Sequence, residues 1–379
     1  MASPPLGLHP RPSRRSDPPA TAEAADRPGR VGTGRSPART AITHRPPRRA
    51  RRPRWSGRAG QPRWARLRRT LLAGLVAGAL AVPVSGAARP GAVPAPAPAT
   101  VWPLRSAAPA ALAERYAATR ADILAAGRAA ERAGHRRRAG ALRAMAAPDR
   151  RFLSFDGRDG GRTVEVFGDL SRAERIAVLV PGSDTGLDTY ARLLAGATRL
   201  RAALDGRVAL LAWLGYRTPA TLSAEVLTAA RAAEGARALR GFVRTLRRLR
   251  PDAGIALLCH SYGSVVCGRA APGLEVTDIV LYGSAGVGAD SVAALRTRAT
   301  VWAGRAGGDW VAAVPHTRIV LPFATLGFGA DPVAPEFGAR PFAAGDGGHS
   351  DYLKAGTISL ANLAAIASGG APVEAGGHA

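Results

Sequence analysis

From Arg162 onward the chain alternates short, continuously apolar runs with longer stretches of helical spacing, and that alternation leaves few folds open. The runs are Thr163–Phe167, Ile176–Val180, Val208–Trp213, Ile255–Cys259, Asp278–Tyr282 and Thr300–Ala303. Between them Asp188–Leu204, Leu222–Leu249, Tyr262–Ala271 and Ser291–Arg296 read as helices, and a last short strand at Arg340–Ala343 precedes a helix from Tyr352. Strands apolar on both faces must be covered on both faces, which predicts a doubly wound, mostly parallel α/β sheet. No repeat divides the pattern, so one domain is expected over 105–369, with its core at 150–369. In such sheets, ligands bind in the loops beyond the carboxyl ends of the strands.

The region before this domain has a different composition. The chain of 379 residues carries a formal charge of +26. Residues 1–69 supply +15 of it, from 18 Arg against Asp17, Glu23 and Asp26, and hold 12 Pro. With only Leu6, Leu8, Val31, Ile42 and Leu67 as large aliphatics, that stretch cannot offset its ordering entropy and is expected to be disordered. It carries no nucleic-acid fold motif, and no nucleic-acid partner is expected.

Arg66, Arg68 and Arg69 then precede an apolar run over 70–88 that leaves through Ser85-Gly86-Ala87. A basic lead, an apolar stretch and a small-x-small exit describe an export signal, cleaved after Ala87 or retained as a membrane anchor. Membrane contact, if any, is expected through 66–88. Residues 89–104 are Pro/Ala-rich and read as a semi-stiff linker. Ser106 can cap a helix running to Gly127, the segment to Arg150 reads as a surface helical pair, and 370–379 as a flexible tail.

The chemistry concentrates at one strand end. Ile255–Cys259 leads directly into His260-Ser261-Tyr262-Gly263-Ser264 and then a helix. A strand, a tight turn bearing Ser and a helix form a nucleophile elbow, which exposes the hydroxyl at a helix N-terminus. Cys259 stands where the G-x-S-x-G pattern has its first Gly.

A serine nucleophile needs a base, and the base needs an orienting acid, in the chain order Ser, acid, His. Seven His are present. His9 and His44 lie in the basic tail, His135 and His260 precede the Ser, and His378 ends the chain. His349, in the Gly-rich turn Gly345–Asp351, is preferred over His316. Asp309, in the Gly-rich loop after Thr300–Ala303, is the expected acid, with Asp290, Asp331 and Asp346 as alternatives. Val178–Val180 ends in Pro181-Gly182-Ser183, so the backbone N–H groups of Ser183 and Tyr262 are the expected oxyanion donors.

These positions resemble the serine α/β-hydrolase superfamily, and more closely an actinobacterial family first catalogued as a domain of unknown function. The resemblance rests on Phe152–Asp156, Val180-Pro181-Gly182, His260–Ser264, Tyr282–Gly286, Phe337–Arg340 and Gly348–Tyr352. It implies the α/β-hydrolase fold and a Ser-Asp-His site at Ser261, Asp309 and His349, without naming a substrate. The short interval between Tyr282 and Val301 leaves no room for a large cap, and Trp310, Phe323 and Phe328 could contact an acyl group, although core packing is the plainer expectation for them.

The expected function is therefore exported ester hydrolysis on a small-molecule or lipid ester. The alternatives are an envelope acyltransferase with the same triad, or a non-catalytic envelope-binding protein on the same fold. No metal and no cofactor are expected. The two Cys, Cys259 and Cys267, are expected as buried thiols, because elbow and helix should hold them apart.

Overall fold

The computed structural model describes residues 93–99, 103–221, 223, 230–316, 318–321 and 324–375. The expected basic tail (1–69) and export segment (70–88) lie outside these. Ten strands are described: β1 (Phe152–Asp156), β2 (Arg162–Phe167), β3 (Arg175–Val180), β4 (Val208–Leu214), β5 (Gly254–His260), β6 (Asp278–Tyr282), β7 (Thr300–Gly304), β8 (Arg318–Leu321), β9 (Ala324–Gly327) and β10 (Arg340–Pro341). The helices are α1 (Pro109–Arg132), α2 (Arg136–Met145), α3 (Tyr190–Ala203), α4 (Ala230–Leu249), α5 (Tyr262–Ala270) and α6 (Ile358–Ala367).

Eight strands form one sheet in the order β1-β2-β4-β3-β5-β6-β7-β10, and β8 and β9 pair separately as a hairpin. From β4 to β10 every pairing is parallel. The chain passes from β3 to β4 on one side and then returns over β3 to β5. That reversal leaves β3 and β5 as neighbours, with Val180 opposite Cys259. Their carboxyl ends open at the switch point where doubly wound sheets form their crevice.

Period-two alternation sorts the strand side chains between two layers. Ile176, Val178, Val180, Leu257 and Cys259 face a core built with α4 and α5. Ala177, Leu179, Leu258 and Val280 face the opposite core, built with α3, α6 and the inner sides of α1 and α2. All seven residues of β4 are buried, as a central strand covered on both faces requires.

The sheet is mostly parallel, as expected, with an antiparallel edge: β1, not among the strands read from the sequence, pairs antiparallel with β2, and β2 runs antiparallel to β4. Two helical expectations are revised. Ser291–Arg296 yields only a single 3₁₀ turn, Ala293–Leu295, which buries Leu295, being too short to form an α-helix of its own. The last helix starts at Ile358, where the Thr357 hydroxyl caps the Leu360 N–H, not at Tyr352.

Other differences lie near the ends. Pro109 opens α1 at a position where its missing N–H costs nothing, while Ser106 accepts from Ala108 N–H just before it. Residues 93–99 do not stand clear as a spacer: Ala95 packs against the core, and Ala99 N–H donates to Asp122. Near the C-terminus, the Asn362 side-chain amide ties Val373 down, its Nδ2–H donating to Val373 O and its Oδ1 accepting the Val373 N–H.

Candidate active site

Ser261 is the sharpest local feature of the backbone. Its φ of 53° and ψ of −125° lie in a region that non-glycine residues avoid. A strand turning into a helix through such a residue lifts the hydroxyl clear of both elements. The turn is locked by the N–H of Ser261 donating to Tyr282 O and the N–H of Ser264 donating to Ser261 O. Two glycines permit it. A Cβ on Gly263 would stand 2.6 Å from Val180 O, and one on Gly182 would stand 2.7 Å from Ser261 Cβ. The β3 exit and the elbow therefore meet in direct backbone contact.

His349 reaches Ser261 from the far edge of the sheet. Its loop follows β10, three strands from β5, or about 14 Å at ordinary strand spacing. The path crosses the end of β6 at Gly283, whose φ is +56°. A Cβ there would come within 3.1 Å of Asp309 Oδ2 and 3.3 Å of His349 Cε1, so a bare backbone is required.

Across that gap the three side chains form a continuous hydrogen-bonded chain. His349 Nδ1–H donates to Asp309, 2.9 Å from Oδ1 and 3.1 Å from Oδ2. This tautomer leaves Nε2 to accept the Ser261 hydroxyl at 2.9 Å.

Asp309 terminates β7's loop and caps the 3₁₀ turn Trp310–Ala313, accepting Val311 N–H at 2.9 Å. Its second oxygen accepts the Tyr352 hydroxyl at 2.6 Å, and the same hydroxyl accepts Ala306 N–H. Burial opposes ionisation of this fully covered carboxyl, but Tyr352, Val311 N–H and His349 outweigh it and hold it below the usual carboxylate value. The Tyr352 phenol is pushed up, first by burial and then by the carboxylate it serves.

The other candidates are engaged elsewhere. Asp331 pairs with Arg305 at 2.7 Å and with His316 at 3.4 Å, and His316 Nδ1 lies 3.2 Å from Ala285 O. Asp290 lies against the Gly329 turn, and Asp346 against Gly307. Ser183 follows Gly182 in a loop pinned from behind. Tyr216 hydroxyl donates to Pro181 O, Thr218 hydroxyl to Thr185 O, and Thr221 to the Asp184 carboxylate. Ser183 and Tyr262 thus stand on the two backbone segments that meet at Ser261.

Three residues were not legible from the sequence in the places they occupy. His260 points away from Ser261, as strand alternation demands, but lands against His349, with 4.8 Å between the two ring centroids. Tyr352 donates its hydroxyl to Asp309. Trp310, expected in the core, is 54% exposed and packs on His349. Of the other two aromatics, Phe328 packs edge-on against Tyr262, and Phe323 lies outside the described residues.

The cysteines depart furthest from expectation. Cys259 and Cys267 are joined in a disulfide, their Cα atoms 6.5 Å apart. The helix α5 folds back along β5, so Cys267 sits over the strand instead of being carried away from it. Among the described residues no cluster of His, Cys, Asp or Glu could hold a metal ion.

The sheet order, the antiparallel edge and the elbow after β5 define the α/β-hydrolase fold. In agreement, residues 156–319 match the family model described as "Alpha/beta hydrolase". Solved structures similar to this chain include XC6422 from Xanthomonas campestris, described as an α/β serine hydrolase without lid. It is 19% identical, over 43% of this chain and 74% of that one, with a TM-score of 0.32. Esterase LipW from Mycobacterium marinum is 14% identical over 63% and 88% of the two chains, with a TM-score of 0.37. The esterase domain of a Rhodothermus marinus protein is 11% identical over 58% and 96%, with a TM-score of 0.34. No curated protein matches the chain.

Proposed function

We propose that the protein is an exported serine hydrolase that cleaves esters through an acyl-enzyme. The observation that carries this reading is the unbroken chain Asp309–His349–Ser261, with its nucleophile on a strained turn. In this reading, Ser261 Oγ attacks the ester carbonyl carbon as its proton passes to His349 Nε2. Asp309 stabilises the resulting imidazolium without taking the proton. The amides of Ser183 and Tyr262 receive the oxyanion, each such donor contributing about 2.7–4 kcal/mol to the transition state. His349 then protonates the departing alcohol, and water repeats the sequence in reverse to free the acid.

The absence of a helical insertion between β6 and β7, where only a 3₁₀ turn lies, fits a site open to small-molecule or lipid esters. The closer resemblance to the actinobacterial family belongs to this reading as well. Export is supported by the basic and apolar pattern of 66–88 and by the Cys259–Cys267 disulfide, since such bonds persist in oxidising compartments. Among the described residues no helix is long and apolar enough to cross a membrane, so an anchor, if retained, would be the 70–88 segment. An acyltransferase would use the same site with an alcohol in place of water, and product analysis separates the two.

The test is reaction of the purified full-length chain with a fluorophosphonate probe, beside Ser261→Ala. Labelling of the wild type at Ser261, absent in the folded variant, is expected. A folded wild type that takes no label would remove the catalytic reading and leave a binding protein on this fold.

A further inference from the structure

Trp310 follows the acid directly and is the first residue of the 3₁₀ turn that Asp309 caps. Its position is therefore set by the same carboxylate that orients His349. The indole centroid lies 4.8 Å from the His349 ring, at an interplanar angle of 51°. It is also 54% exposed, and no other aromatic side chain among the described residues is exposed to that degree. Trp supplies a large flat apolar face and is among the residues most enriched at recognition hot spots.

Which part of the substrate it meets follows from the chemistry, and so rests on the ester-hydrolase reading above. In acylation the Ser261 Oγ–carbonyl bond forms and the carbonyl–alkoxy bond breaks. The proton taken from Ser261 by His349 Nε2 goes to the departing alkoxy oxygen, which must then lie within about 3.2 Å of Nε2. The alcohol portion accordingly leaves along the His349 side, while the oxyanion lies toward the β3 exit, where Gly182 abuts Ser261.

We infer that Trp310 forms the subsite for the alcohol portion of the ester, and that this portion presents the face of a ring, aromatic or saturated, to the indole. By microscopic reversibility the same surface receives an alcohol acceptor when the acyl group is transferred rather than hydrolysed. The acyl chain lies outside this subsite.

The test uses the full-length chain, Trp310→Ala and Trp310→Phe, and butyrate esters of ethanol, benzyl alcohol, cyclohexylmethanol and the 6-hydroxyl of methyl glucoside. The benzyl and cyclohexylmethyl arms separate a π surface from a saturated ring, and the glucoside arm reports a sugar. In the wild type, kcat/KM is expected to favour at least one ring alcohol over ethanol. In Trp310→Ala that ring-to-ethyl ratio is expected to fall about tenfold, with Trp310→Phe in between. The butyrate-to-acetate ratio at fixed alcohol should shift less than twofold. A ring-to-ethyl ratio unchanged by Trp310→Ala, or a change that follows the acyl chain, overturns the assignment while leaving the hydrolase intact. A wild type that neither labels with the fluorophosphonate nor cleaves any of these esters overturns both.

Discussion

The Nε2–H of His260 donates to the main-chain carbonyl of His349 across 2.9 Å. The residue before Ser261 thereby holds the loop that brings His349 to it, although His260 and His349 lie 89 positions apart in the chain. A carbonyl only accepts, so this bond fixes the tautomer of His260 with its proton on Nε2. Tyr282 and Tyr352 close around the same ring, their centroids 5.0 and 5.8 Å away, and a neutral imidazole is the form that fits there.

Burial, and then the proximity of His349, push the His260 imidazole down from 6.5 to about 4. The folded state thus resists a proton that the unfolded chain accepts. Its contribution to stability is complete above about pH 6.5 and is lost as pH falls toward 4, at no more than about 1.4 kcal/mol per pH unit. Urea unfolding at pH 7 and pH 4.5 should show a smaller loss for His260→Phe than for the wild type. Equal losses in the two proteins would show that His260 titrates normally.

Tyr352 connects Asp309 to the β7 loop through its hydroxyl, which donates to the Asp309 carboxylate and accepts the Ala306 N–H. Tyr352→Phe removes a hydrogen bond to the ionised Asp309, so the Asp309 pKa rises and the acid limb of the kcat/KM profile moves to higher pH. The orphaned Ala306 N–H should also cost about 1–3 kcal/mol of stability. Asp309→Asn, which disturbs the His349 tautomer, is expected to lower kcat by about four orders of magnitude. A Tyr352→Phe enzyme with an unmoved pH profile would restrict the tyrosine to packing.

Close backbone contact makes Gly263 intolerant of any side chain. A methyl group at Gly263 would meet Val180 O and Pro181 O, neither of which can rotate away. Gly263→Ala should destabilise by about 1–3 kcal/mol or more and abolish fluorophosphonate labelling. Gly140 lies within α2 with nothing near its missing Cβ, so Gly140→Ala should raise the melting temperature instead. Thermal denaturation of the pair checks both signs.

The disulfide closes a short loop around Ser261, with Cys259 and Cys267 eight positions apart. Restricting a loop of that size in the unfolded chain contributes about 2.5 kcal/mol in the chain-entropy account. Replacing both cysteines by Ala should lower the unfolding free energy by that order. Both sulfur-bearing residues are fully buried, so dithiothreitol should reduce the bond at the rate of unfolding and not faster. Rapid reduction of the native protein, measured by thiol titration, would contradict this burial.

The sequence by itself determined the central strands β2 to β7, most of the helices between them and the position of Ser261, but not the edge strand β1, the β8–β9 hairpin or the single turn at Ala293–Leu295. The features it determined depend on neighbours: apolar runs that must be covered on both faces, and a strand, Ser and Gly close enough in the chain to form one turn. Asp309 and His349 were legible more weakly, as polar residues in Gly-rich loops after the right strands. Tertiary structure decided the rest. Whether His349 could reach Ser261 depended on the pairing of β10 with β7 and on a bare backbone at Gly283. The partners of His260 and Tyr352, the exposure of Trp310 and the joining of Cys259 to Cys267 likewise depend on how separate elements align in space. Side-chain period shows which face of a strand a residue occupies; only the packed neighbours show what it meets there.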